Sequence, residues 1–239
     1  VTAGADHDSG VVSDGRLEEL VHEVLEAPAP WAIVQAGEPV LRRPAARYDG
    51  QLPDELLHRL LDAMRAYLPE RGVGLAAPQI GIPLALAVIS DPATVPTEFA
   101  EARERSPLTA FDLINPVLTP IGTSRRTFYE GCLSVVGYTA VVTRHHQVHL
   151  DAFDRHGDAY QRELTGWPAR IAQHETDHLH GVLYLDRAEP RSLSSMVNHE
   201  RLWTQPTPLA AAQALGFPAP ADPSVAGGHE SQSGAGQTG

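Results

Sequence analysis

His174-Glu175-Thr176-Asp177-His178 sets two imidazoles four residues apart with a carboxylate between them. On a helix these positions are neighbours, so both rings can reach one ion while Glu175 projects beside it, able to take a proton from water and return it. Chance places such a motif in roughly 4 of 100 chains of this composition, so a further ligand is needed before the pattern means a metal centre. A histidine pair on an exposed helix face is the alternative, yet two histidines and a carboxylate on an apolar face are costly without a partner.

A catalytic centre uses three protein ligands and keeps a position open for water. Tyr184 stands six residues past His178, where one class of metallopeptidase has a third histidine, and that class is disfavoured. Cys132, the single cysteine, offers a thiolate in Glu130-Gly131-Cys132-Leu133-Ser134, a turn-like segment beside predicted strands. Glu200 could serve formally from a second helix. Cys132 is the better donor, and the ligand spacing by itself points to zinc.

The elements that must position these groups can be read from periodicity. Pro168, after Gly166, opens a helix that closes at Gly181 and puts Ile171, His174, Glu175 and His178 on one face. Leucines and valines at helical spacing predict amphipathic helices over residues 16–26 and 53–68. Strands are expected at 84–89, 111–118, 139–143 and 148–153, the last entering a turn at 154–158 and a hairpin partner at 159–164. Helices at the ends and antiparallel signals between them define an α+β class: antiparallel strands packed around a central HExxH helix, with flanking helices. Residues 1–15 read as a mobile N-terminal segment, 16–217 as one catalytic domain, and 218–239, rich in Pro, Ala, Gly and Ser, as a disordered tail.

Composition narrows the partners. The chain has 239 residues, 42% hydrophobic and 20% charged, enough for one packed core. A net charge of -12 argues against nucleic acid, whose affinity rests on clustered Lys and Arg. The start lacks the basic-then-apolar order of a secretory signal, and no stretch approaches the ~18 apolar residues of a membrane span. A cytoplasmic, monomeric enzyme that uses neither membrane nor nucleic acid is expected, without an intramolecular disulfide.

Three segments taken together resemble the peptide deformylases: Gly72-Val73-Gly74-Leu75-Ala76-Ala77-Pro78-Gln79, Glu130-Gly131-Cys132-Leu133-Ser134 and Gln173-His174-Glu175-Thr176-Asp177-His178. Their order and spacing match as well, and the likeness runs from about Ile33 through Leu185. Leu133-Ser134-Val135 and Gly166-Trp167-Pro168-Ala169-Arg170 look like the subgroup shared by some bacteria and eukaryotic organelles.

The resemblance implies removal of the formyl group from N-formylmethionyl chains emerging from the ribosome, a step of protein biosynthesis that releases formate. It implies one divalent metal held by Cys132, His174 and His178, ferrous iron in the cell, with zinc, nickel or cobalt as replacements. Glu175 would carry the proton, and the Gln79 amide and the Leu133 backbone N–H would face the oxyanion. Gly72 and Gly74 would allow close backbone approach, and Leu133, Trp167 and Ile171 would receive the methionine side chain. Asp177 is expected to anchor the helix by pairing with Arg144. Thr139 stands where many relatives carry an arginine along the substrate, and Val136 where many carry proline. Two other readings are an HExxH metallopeptidase with Glu200 as third ligand and a catalytically silent relative that binds nascent chains.

Overall fold

The computed structural model describes residues 13–69 and 71–218. Two amphipathic helices begin it. Helix α1 (Asp14–Glu26) turns Leu17 and Val21 inward, and α2 (Asp54–Tyr67) buries Leu56, Leu57, Leu60, Leu61 and Met64 in the same core. The i, i+3, i+4 spacing of these side chains makes a single apolar stripe on each helix. Pro53 caps α2 instead of opening it, and Asp54 and Glu55 in its first turn complement the helix dipole.

Among the described residues the strands are β1 (Gly74–Ala76), β2 (Leu86–Asp91), β3 (Leu108–Pro120), β4 (Arg125–Gly131), β5 (Tyr138–His145), β6 (Gln147–Phe153), β7 (Ala159–Thr165) and β8 (Ser194–Ser195). They form an antiparallel sheet in the order β1-β2-β3-β6-β7 and a second antiparallel sheet, β4-β5-β8. The remaining helices are α3 (Thr97–Arg103), α4 (Trp167–Leu179), α5 (Met196–Leu202) and α6 (Leu209–Leu215).

The larger sheet separates two cores because strand side chains alternate between faces. On β2, Leu86 and Val88 join α1 and α2, while Ala87 and Ile89 point the other way, toward Ala169, Ile171, Ala172 and Leu179 of α4. From β6, Val148, Leu150 and Ala152 enter that second core. Helix α4 touches β5 of the smaller sheet on its far side. Its ends are as the residue types require: Pro168 in the first turn, and Gly181 past the end at φ +73°, where a Cβ would sit 2.7 Å from the Arg42 carbonyl carbon.

The predicted hairpin between β6 and β7 is present. The Asp154 carboxylate accepts from the N–H groups of His156 (2.8 Å) and Asp158 (3.1 Å). Differences from the sequence reading are local. Helix α1 starts at Asp14, so Asp14 and Gly15 belong to it and not to a leading segment; residues 1–12 lie outside the described residues, as does the tail beyond the exposed Pro218. Glu130 and Gly131, read as part of a turn, end β4, and the turn begins at Cys132. No helix of the described residues is long and apolar enough to cross a membrane.

Candidate active site

Cys132 follows β4 in a turn fastened from several directions. The Val135 N–H donates to the Cys132 carbonyl (3.0 Å), Ala36 N–H to the Ser134 carbonyl (2.8 Å), and Gln35 Nε2 to the Leu133 carbonyl (3.0 Å). This holds Sγ over α4, 3.3 Å from His178 Nε2. One ligand atom from each of Cys132, His174 and His178 lies within 4.8 Å of the others. Glu200 is exposed on α5 and takes no part in this cluster.

His174 is oriented by a residue that sequence reasoning passed over. Its Nδ1 donates to Glu130 Oε2 at 2.9 Å, which leaves Nε2 as the atom that could face a metal once it gives up its proton. Glu130 is itself buried and accepts from Arg144 at 2.7 and 2.9 Å and from Arg170. Burial alone would raise its pKa; Arg144 and Arg170 outweigh that and hold the carboxyl well below the usual carboxylate range. Burial likewise opposes the His174 imidazolium, but the neighbouring Cys132 and the hydrogen bond to Glu130 prevail and hold its pKa well above the ordinary value. His178 goes the other way, pushed well down by burial and by the neighbouring charges of His174 and Arg144. A soft cysteine sulfur beside two imidazoles, one with its tautomer set by a carboxylate, is a donor set that fits zinc, iron, nickel or cobalt.

Glu175 is buried, with Oε2 lacking a hydrogen-bond partner among the described residues, and burial pushes its pKa up to about 7. Gly74 explains how it fits: a Cβ there would lie 2.2 Å from Glu175 Oε1 and 2.5 Å from its carboxyl carbon. At Gly74 the space released by the missing side chain is filled by the glutamate. Gly72 differs, since a Cβ there would meet Leu133 Cδ1 at 3.6 Å, an ordinary contact. Substitution Gly74→Ala is expected to displace the Glu175 carboxylate and cut formate release by about 10²-fold, with bound metal unchanged, as measured by turnover and metal content on one sample.

Gln79, in the 3-10 turn after β1, is buried. Its Oε1 accepts from the Ala76 N–H (2.8 Å), which directs Nε2 toward Cys132 Sγ (3.5 Å) and Ser134 Oγ (3.4 Å). Together with Gly72, Gly74, Leu133, Trp167 and Ile171 it lines a cavity of about 480 Å³. All the sequence-derived candidates except the largely enclosed His178 therefore contribute to one wall or another. Thr139 also faces it, but its hydroxyl donates to the Glu130 carbonyl at 2.6 Å; Val136 stands at the rim, 73% exposed. Asp177 pairs with Arg144 (2.8 Å) as expected, and also with Arg187.

Other lining residues had no signal in the sequence. Met196 and His199 arrive on α5, and Arg103 arrives on α3 with its guanidinium 5.0 Å from the Trp167 ring centre. Burial, then Arg105 and Arg170, push Arg103 down to about 10.

A thiol and two imidazoles gathered beside a buried carboxyl group and a fixed amide, in a cavity with an apolar wall, define a metal-dependent hydrolase. The sequence model of the polypeptide deformylase family matches residues 30–194. The chain is 54% identical over 205 residues to "Peptide deformylase 1" of Streptomyces coelicolor, covering 85% of this chain and 94% of that protein. It is 34% identical over 184 residues to the mitochondrial peptide deformylase of Homo sapiens, covering 72% and 74%. Among solved structures, the Met-Ala-Ser-bound class I type b peptide deformylase of Acinetobacter baumannii superposes with a TM-score of 0.59 at 32% identity, covering 66% of this chain and 97% of that one. This chain belongs to the peptide deformylase family, and it removes the N-formyl group from nascent polypeptides.

Proposed function

We propose that Cys132, His174 and His178 hold a divalent metal, ferrous in the cell, and that α4 is the metal-binding helix around which both sheets pack. The observation that carries this reading is the convergence of those three donor atoms beside Glu175 and Gln79 in one cavity. The ion, when bound, supplies Lewis acidity that polarises a carbonyl oxygen and acidifies water.

The chain's own residues do the rest. Glu175, whose Oε2 has no hydrogen-bond partner among the described residues, takes the proton of the attacking water and returns it to the departing amine. Gln79 Nε2, its amide pinned by Ala76, and the Leu133 backbone N–H donate to the oxygen that gains charge as the formyl carbon becomes tetrahedral. Leu133, Trp167 and Ile171 receive the methionine side chain on the apolar side of the cavity, excluding water from the reacting bond. Gly72 lies where the substrate backbone passes. The A. baumannii relative, described with Met-Ala-Ser bound, supports a peptide of this kind as the ligand. Residues 16–217 act as one catalytic domain. It works as a cytoplasmic monomer, and the net charge of -12 supports the absence of a nucleic-acid partner.

Formate release from formyl-Met-Ala-Ser by anaerobically purified, metal-loaded protein is the test. Cys132→Ser is expected to lose the metal and the activity, while Glu200→Ala retains both. The reverse result would make the protein a metallopeptidase-type centre with a carboxylate ligand.

A further inference from the structure

The face of α4 turned away from the catalytic cavity opens on a second cavity of about 330 Å³. Its walls come from α4, β3, β4, β5, β6 and Arg187, and they carry an excess of positive charge. Arg125, Arg144 and Arg187 face it together with His145 and His180, and Asp177 is the acidic residue among them. That carboxylate is already committed. Its Oδ2 accepts from Arg144 at 2.8 Å and from Arg187 at 2.7 Å, and its Oδ1 from Arg187 at 2.7 Å. Arg125 makes no ion pair among the described residues.

Two polar atoms at the cavity also lack partners. The Thr176 hydroxyl, on a residue 5% exposed, and His145 Nδ1 are both buried without a hydrogen bond among the described residues. An unpaired buried hydroxyl such as that of Thr176 carries a free-energy penalty that a bound acceptor would remove. Arg125 and Arg187 stand close enough to His145 that, after burial, they lower its pKa.

We propose that this cavity is a second ligand site, taking a small oxyanion of the phosphate class. The guanidinium of Arg125 and the unengaged nitrogen of Arg187 supply charge-assisted hydrogen bonds, and the Thr176 hydroxyl donates a third. Leu118, Pro120 and Val148 form an apolar wall beside them, which suits the organic part of a phosphomonoester as well as a free phosphate. The cavity size and the overall charge of -12 favour a small ligand over a polyanion.

Titration calorimetry of the metal-loaded protein with inorganic phosphate in one arm and phenyl phosphate in the other tests the proposal. Binding is expected in at least one arm; tighter binding of phenyl phosphate assigns the site to phosphomonoesters, and equal or tighter binding of phosphate assigns it to the free anion. Arg125→Gln, a change at an exposed strand residue, is expected to weaken binding about ten-fold or more, and Arg125→Lys to recover most of it. Deformylation measured without phosphate stays at the wild-type rate in both variants. Absence of binding in both arms overturns the proposal. So does an affinity that Arg125→Gln leaves unchanged, which would put the anion at the catalytic centre instead.

Discussion

Glutamine in place of Glu175 lowers kcat for formyl-Met-Ala-Ser by about 10²–10⁴-fold, the range general acid–base catalysis contributes, and leaves the bound metal in place. The size of the effect follows from what the exchange preserves. Glutamine has the same shape, so the side chain still rests against Gly74, and the donor atoms of Cys132, His174 and His178 are untouched. What disappears is a group that can both accept a proton and give it back. Oε2, unpartnered among the described residues, becomes, in one orientation of the amide, an NH2 group that cannot accept at all. Single-turnover formate release with metal content measured on the same preparation reads the effect; a loss of only a few-fold would remove Glu175 from the proton-carrying role.

Substitution Glu130→Gln has the largest expected effect on stability. Its carboxylate is shared among Arg144, Arg170 and the His174 ring, all in the interior. Neutralising it leaves the buried Arg170 without its carboxylate partner and Arg144 with Asp177 alone, a loss of about 3–5 kcal/mol where a buried pair is broken from one side. In a chain of this length that corresponds to a melting temperature lower by roughly 6–20 °C. His174 loses its orienting acceptor at the same time, so metal affinity falls by about 10–100-fold. Calorimetric melting of the metal-free and metal-loaded forms separates the two contributions: the metal-free form shows the ionic loss alone, and the loaded form shows both. An unchanged melting point in the metal-free protein would mean that the guanidiniums find other partners.

The parts of the molecule legible in the sequence are those governed by short-range pattern. Helix α4 is bounded by Gly166, Pro168 and Gly181 and carries its histidines four residues apart, so its limits and the pairing of those rings on one face are legible directly. The β6–β7 hairpin announces itself through alternation and Asp154 to Asp158. Strand β1 does not: Gly74-Leu75-Ala76 has little intrinsic preference for extended structure and becomes a strand by pairing with Ile89, Val88 and Ala87. Helix α3 buries none of its side chains, so no apolar stripe marks it, and α5 is too short to show one clearly. Glu130 stands in a motif that assigns it no task, because its partners lie 14, 40 and 44 residues away along the chain. Contacts of that separation depend on the finished topology, in which β4, β5 and α4 meet.

That same separation gives the centre a mechanical meaning. Cys132 and His178 are 46 residues apart in sequence but within 3.3 Å of each other, one on the turn leaving β4 and one on α4. An ion joining them would tie the end of β4 to α4, much as a cross-link would in a chain whose lone cysteine cannot form one internally. Closing a loop of this length restricts the denatured ensemble by roughly 4 kcal/mol in the chain-entropy model for as long as the tie survives. Oxidation of the Cys132 thiolate would therefore cut a tether as well as silence a catalyst, and an inactivated molecule would be one already predisposed to unfold and be degraded.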